Sequence, residues 1–124
     1  MIRSILFIFV LVSCSTNKEL TKKDYSSDNQ ICNLNVSFRS VGSGIDRKSY
    51  KEFLAYIVRF ENEEHLKLSY EQLFWGREGE MDYCFKYENL NQKQIIKFEK
   101  EIKEKLIKSK SVSISNETVK RKGR

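Results

Sequence analysis

The stretch Cys32-Asn33-Leu34-Asn35-Val36-Ser37-Phe38-Arg39 alternates cleanly: Cys32, Leu34, Val36 and Phe38 fall on one side, Asn33, Asn35, Ser37 and Arg39 on the other. A period of two with one apolar side is the pattern of a strand that covers a core with one face and meets solvent with the other. Whatever follows this strand has to bury its apolar side.

On its C-terminal side, Val41-Gly42-Ser43-Gly44 turns the chain. Asp46 then stands as a helix N-cap, with Ile45 before it and Tyr50 four positions inside, the spacing of a hydrophobic staple. Tyr50, Phe53, Leu54, Ile57 and Val58 recur at three and four, the stripe of a helix packing on a core that is expected to end between Glu61 and Glu64. Leu66, Leu68 and Tyr70 alternate again, but Leu73, Phe74 and Trp75 break the phase, which predicts a second strand with a bulge or twist near Gln72. Gly76-Arg77-Glu78-Gly79 turns the chain into Met81, Tyr83, Phe85 and Tyr87, a third strand paired with the second, with Cys84 on the opposite parity. Asn91 with Gln94 makes a capping box, and Ile95, Phe98, Ile102 and Leu106 form the apolar stripe of a second helix. Val112 and Ile114 indicate a short last strand. The order βαββαβ predicts an α+β fold, the ferredoxin-like split βαβ arrangement with two helices on one face of an antiparallel sheet.

Upstream, residues 15–30 are polar, mixed in charge and without apolar periodicity, as in a flexible tether. Before them, Arg3 precedes the apolar run Ile5 to Val12, the layout of a secretory signal peptide and far short of the roughly 20 apolar residues a membrane-spanning helix needs. That run closes on Leu11-Val12-Ser13-Cys14, which resembles the lipobox of bacterial lipoproteins. The resemblance covers the first fourteen residues and implies that the bond before Cys14 is cut and that the Cys14 thiol, nucleophilic once deprotonated, carries a diacylglycerol. Two or three acyl chains hold stably where one holds marginally, so the mature chain would sit on the membrane of the cell envelope. Ser15 lacks the acidic residue that in such lipoproteins favours inner-membrane retention, which points to the outer membrane. The expected organisation is a signal peptide over 1–13, the lipidated cysteine and tether over 14–30, one α+β domain over 31–115 and a basic tail over 116–124.

With Cys14 given to lipid, Cys32 and Cys84 remain as an even pair in an oxidising compartment, and a disulfide between them is expected. In the expected topology the start of the first strand lies by the end of the third, which favours the bond. Parity opposes it, since Cys32 belongs to the core side of its strand and Cys84 to the outer side of its own. The conflict disappears if Cys32 precedes the regular strand.

Little in the sequence selects a chemistry. Gly42 and Gly44 match only the start of a nucleotide-binding loop, the third glycine would fall at Arg47, and Asp46 would repel an anion. His65 is the only histidine and no zinc-type spacing exists, so neither metal nor cofactor is expected. Glu61, Glu63 and Glu64 read as a solvated helix end. Trp75 and Phe74, beside a glycine turn, together with Arg39 and the polar face Asn33, Asn35 and Ser37, are the candidate contact surface for an envelope protein partner; the alternative for Trp75 is closure of the core beneath the hairpin. The formal charge of +6, with Lys120, Arg121, Lys122 and Arg124 at the C-terminus, admits attraction to an anionic membrane or polyanion, while export disfavours nucleic acid. The expectation is a lipid-anchored, non-catalytic interaction module. A small envelope hydrolase using carboxylates or Cys84 and a polyanion binder acting through residues 120–124 are the alternatives.

Overall fold

The computed structural model describes residues 31–122. Cys14, the tether and Arg124 lie outside the described residues. The elements are β1 (Ile31–Phe38), α1 (Arg47–Glu64), β2 (Ser69–Phe74), β3 (Met81–Lys86), α2 (Gln92–Leu106) and β4 (Val112–Val119). The strands form one antiparallel sheet in the order β2-β3-β1-β4, the split βαβ order expected. Leu34, Val36 and Phe38 of β1 share one face with Tyr83 and Phe85 of β3, and both helices close over them. The interior is aromatic: Phe53 lies 4.7 Å from Tyr83 and 5.2 Å from Phe38 between ring centroids, and Phe98 lies 5.1 Å from both Phe60 and Phe85. Each fully buried ring of this kind is worth roughly 1.5–3 kcal/mol of transfer free energy.

Local chemistry sets the helix ends. Asp46 Oδ1 accepts the Ser49 amide at 3.1 Å, and its Oδ2 accepts the hydroxyls of Ser49 at 2.7 Å and Ser109 at 2.8 Å. Those bonds, led by the Ser49 hydroxyl, hold the Asp46 carboxyl below its ordinary pKa. α1 closes on His65 in the left-handed region, with the Leu66 amide returning to the Glu61 carbonyl at 3.1 Å. Asn91 and Gln94 form the expected reciprocal capping box of α2. The acidic end of α1 is tied down rather than merely solvated. Glu61 Oε1 accepts the Leu68 amide at 2.9 Å, and Glu64 takes Lys97 of α2 at 2.6 Å.

Three local expectations are corrected. The buried stripe of α1 is Phe53, Tyr56, Ile57 and Phe60, while Leu54 and Val58 are exposed. α1 packs against α2 as well as the sheet, and Tyr56 and Phe60, one turn apart, meet Phe98 there. β2 carries no bulge: its ladder runs unbroken from Ser69 opposite Lys86 to Phe74 opposite Met81. Being an edge strand, it tolerates Gln72 among its helix-side positions, and Leu73 and Trp75, on the outer side with Asp82, are what broke the phase. β4 continues to Val119, beyond the short strand and the boundary at 115 expected for it.

The parity conflict at Cys32 resolves through a bend. Cys84 faces Asn35 across the β1–β3 ladder, yet its Cα lies 5.1 Å from that of Cys32. The β1–β4 ladder skips the pair Asn33–Glu117, and Glu117 adopts φ 50°. At this point the ribbon of Ile31-Cys32 with Thr118-Val119 leaves the sheet and folds over its outer face. Asn33 Oδ1 receives the Tyr87 amide at 3.0 Å, and Lys86 reaches the Ile31 carbonyl. Cys32 is therefore not a core residue, although it is fully buried; it caps the opposite face through its disulfide to Cys84.

Candidate functional site

The outer face was expected to lie open, with Asn33, Asn35, Ser37, Arg39 and Trp75 available to a partner. Its centre is covered instead. Asp82, only 2% exposed, accepts the Ser37 hydroxyl at 2.6 Å and the Trp75 indole N–H at 2.8 Å through Oδ1, and Arg121 Nε at 3.1 Å through Oδ2. The Arg121 guanidinium lies 4.2 Å from the centre of the Trp75 ring, in cation–π contact, and Lys120 pairs with Glu71. A buried carboxylate with three donors is a satisfied charge. Together with the disulfide beside it, this cluster clasps the last described residues onto the sheet. The first basic residues of the tail thus serve the fold, and Trp75 is half-buried in the clasp rather than closing the core or standing free.

The three residues nominated for partner contact separate. Phe38, Met81 and Phe74 form one row across the sheet, and Arg39 and Trp75 follow one position further along their strands. Arg39 is exposed at an outer-face position. Phe74 points to the helix side beside Met81 and is 56% exposed, because α1 sits over β1 and β3 and leaves the helix side of β2 uncovered. Tyr70 is exposed on the same strip.

At the end of that strip, the first turns of α1 and the β2–β3 turn enclose a groove of about 490 Å³. Ile45, Tyr50, Leu54 and Met81 supply its apolar lining, Gly44 and Gly79 bring backbone close, and Arg47, Lys51 and Glu78 are its charged residues. The hydrophobic staple builds part of this wall: Asp46 caps the helix, which places Ile45 just outside it and Tyr50 one turn in. Tyr50 is held there by a hydroxyl contact of 2.8 Å with Tyr83. Glu78 accepts the Ser40 hydroxyl. Among the described residues neither Arg47 nor Lys51 makes an ion pair. Sequence periodicity assigned Leu54 to the core and so concealed the groove; the signal available was the run of Arg47, Tyr50, Lys51 and Leu54 at helical spacing, a mixed stripe that a purely structural face does not require.

The remaining candidates have structural placements. The amides of Gly42 and Gly44, which a phosphate loop would keep free, both donate to Ser40 Oγ at 3.1 Å. Cys84, bonded to Cys32, presents no thiol for nucleophilic attack. His65 is the C-cap of α1. Among the described residues no group of His, Cys, Asp and Glu is arranged to hold a metal ion, and no helix is long and apolar enough to cross a membrane. Compared with protein-family models, curated proteins and solved structures, the chain matches none.

Proposed function

We propose that this chain is a lipid-anchored protein of the cell envelope, held through Cys14, whose folded domain is a non-catalytic binding module. The observation that carries the reading is the pairing of Cys32 with Cys84. It accounts for two of the three cysteines and fits an oxidising compartment outside the cytoplasm, the destination that Leu11-Val12-Ser13-Cys14 specifies. Cys14 is then the cysteine left for lipid. The uncovered strip along β2, with Tyr70 and Phe74 and the groove at its end, is the contact surface this reading favours over the outer face. On this strip Tyr70 and Phe74 flank Gln72, and the groove at its end adds Ile45, Leu54 and Met81, a mixed apolar and polar surface of the kind that ligand sites use.

The test is Cys14→Ser in the full chain, expressed in a bacterial cell and fractionated. The expected product is not processed at the lipobox, lacks the mass of the acyl groups, and leaves the membrane pellet unless its uncleaved signal retains it, which detergent-free salt and alkaline washes distinguish. A product that is trimmed as before and pellets unchanged refutes the anchor.

A further inference from the structure

We propose that the groove between α1 and the β2–β3 turn binds a long-chain fatty acid, with the acyl chain along Ile45, Tyr50, Leu54 and Met81 and the carboxylate beside Arg47 and Lys51. The assignment rests on the reading of the domain as a binding module and names the ligand class of its groove.

Size and lining come first. A volume of about 490 Å³ falls within the roughly 300–1,000 Å³ of sites that enclose small ligands, and such sites pair an apolar lining with a few oriented polar groups. The division is sharp here. Ile45 and Leu54 have no polar side-chain atom, the Met81 sulfur is engaged by Gln72, and the Tyr50 hydroxyl by Tyr83. Leu54 remains 37% exposed although it belongs to a well-formed helix.

Charge supplies the direction. Arg47 and Lys51 are one turn apart on α1, and Tyr50 and Leu54 continue the same stripe. Among the described residues neither cation makes an ion pair, and the Asp46 carboxylate that caps the helix is engaged by Ser49 and Ser109 and is not part of the groove lining. A ligand carboxylate at this lip would supply the counterion. Glu78, a carboxylate that accepts the Ser40 hydroxyl, lies on the facing turn, so the ligand head is directed to the α1 side, where both cations are. A fatty acid satisfies both halves: its chain has no polar group to pair, and its head is a carboxylate. A polypeptide laid in the same groove would bring backbone N–H and C=O groups against a wall with few partners for them, each unpaired group costing about 1–3 kcal/mol.

The experiment uses the mature chain, residues 14–124 with Cys14→Ser, so that neither an acyl chain nor the apolar run Ile5 to Val12 competes, and titrates it calorimetrically with palmitate below its micelle concentration. Hexadecanol supplies the same chain without the charge, and anionic phospholipid vesicles supply charge on a bilayer. The expected result is one palmitate per chain, with affinity reduced about tenfold or more for hexadecanol, for Arg47→Gln/Lys51→Gln and for Leu54→Glu. Unchanged far-ultraviolet circular dichroism and melting temperature show that the variants are folded. Absence of palmitate binding by the folded chain, equal binding by the folded variants, or a preference for vesicles that the variants retain overturns the assignment. Those failures are separate from the anchor: Cys14→Ser then still releases the chain from membranes, whereas failure of the anchor leaves palmitate titration unaffected.

Discussion

Reducing the Cys32–Cys84 bond isolates the covalent part of the clasp from everything else in the domain. The two cysteines are 52 residues apart, and releasing a loop of that length returns about 4 kcal/mol of chain entropy to the unfolded state at 25 °C on the loop-closure model. Small domains hold only about 5–15 kcal/mol in total, so the loss is a large share. At about 4–8 °C per kcal/mol for a domain of this size, the melting temperature should fall by about 15–30 °C. Both cysteines are buried, at 0% and 1% exposure, so the reductant has to act on the unfolded chain or under denaturant before refolding. The assay is urea and thermal unfolding followed by circular dichroism, oxidised against reduced, with the mass gain of two hydrogens confirming reduction. The urea dependence should also steepen, because the unlinked unfolded chain exposes more surface. Cys32→Ala/Cys84→Ala should melt near the reduced chain and ignore the reductant. A reduced protein that melts within about 5 °C of the oxidised one, with its mass verified, would refute the assignment of this bond as the main staple of the domain.

Two further outcomes follow from buried polar groups. Asp82→Ala leaves the Ser37 hydroxyl and the Trp75 indole without their acceptor and Arg121 without its counterion, and should cost about 2–3 kcal/mol. Arg121→Ala should cost less, because the donors Ser37 and Trp75 stay on Asp82 and water reaches the half-exposed position the guanidinium leaves; no measurable loss from Arg121→Ala by urea titration would contradict the clasp. Burial holds the phenols of Tyr56, Tyr83 and Tyr87 well above their ordinary value of 10.0, with Glu101, the Tyr50 hydroxyl and Glu99 respectively adding to the shift. The unfolded chain therefore releases these protons first, and folding stability should decline as pH rises above about 10. Phenolate absorbance for these three should appear together with loss of circular dichroism; their smooth ionisation in the folded chain at pH 10 would show that they are not buried.

Much of the fold was legible because local and tertiary signals agree. Asp46 with Ile45 and Tyr50, and Asn91 with Gln94, mark helix starts by chemistry that acts within a few residues. Leu34, Val36, Phe38, Tyr83 and Phe85 alternate because a sheet with helices on one side has one dry face. The misreadings fall where a residue answers to something distant in sequence. Tyr56 and Phe60 are buried because Phe98 of α2 arrives beside them, and periodicity within α1 carries no record of that. Gln72 sits exposed on an edge strand with its amide donating to Met81 and Tyr50, while Leu73 and Trp75 fall on the outer face, so the phase looked broken. The resemblance of Leu11-Val12-Ser13-Cys14 to a lipobox falls on residues outside those described.

The clasp shows why parity failed as a test of the disulfide. Alternation assigns faces only while a strand stays in its sheet, and a single residue in the left-handed region is enough to end that condition. Glu117 takes such a conformation at a cost of roughly 1–2 kcal/mol relative to extended backbone. What the bend returns is a second layer on the wet side of a small sheet: the disulfide, the Asp82 network and the Arg121–Trp75 stack bring Ser37, Asp82 and Cys84 to near-complete burial. A domain of this length has a modest core, and its outer face is held by covalent and charge-assisted bonds where apolar packing is absent. The strip along β2 has neither cover nor clasp, so Tyr70, Phe74 and Leu54 remain in solvent. Packing and clasp are thus both centred on β1 and β3, and the flank of α1 and β2, like Ile96 and Ile107 elsewhere, keeps apolar side chains in solvent.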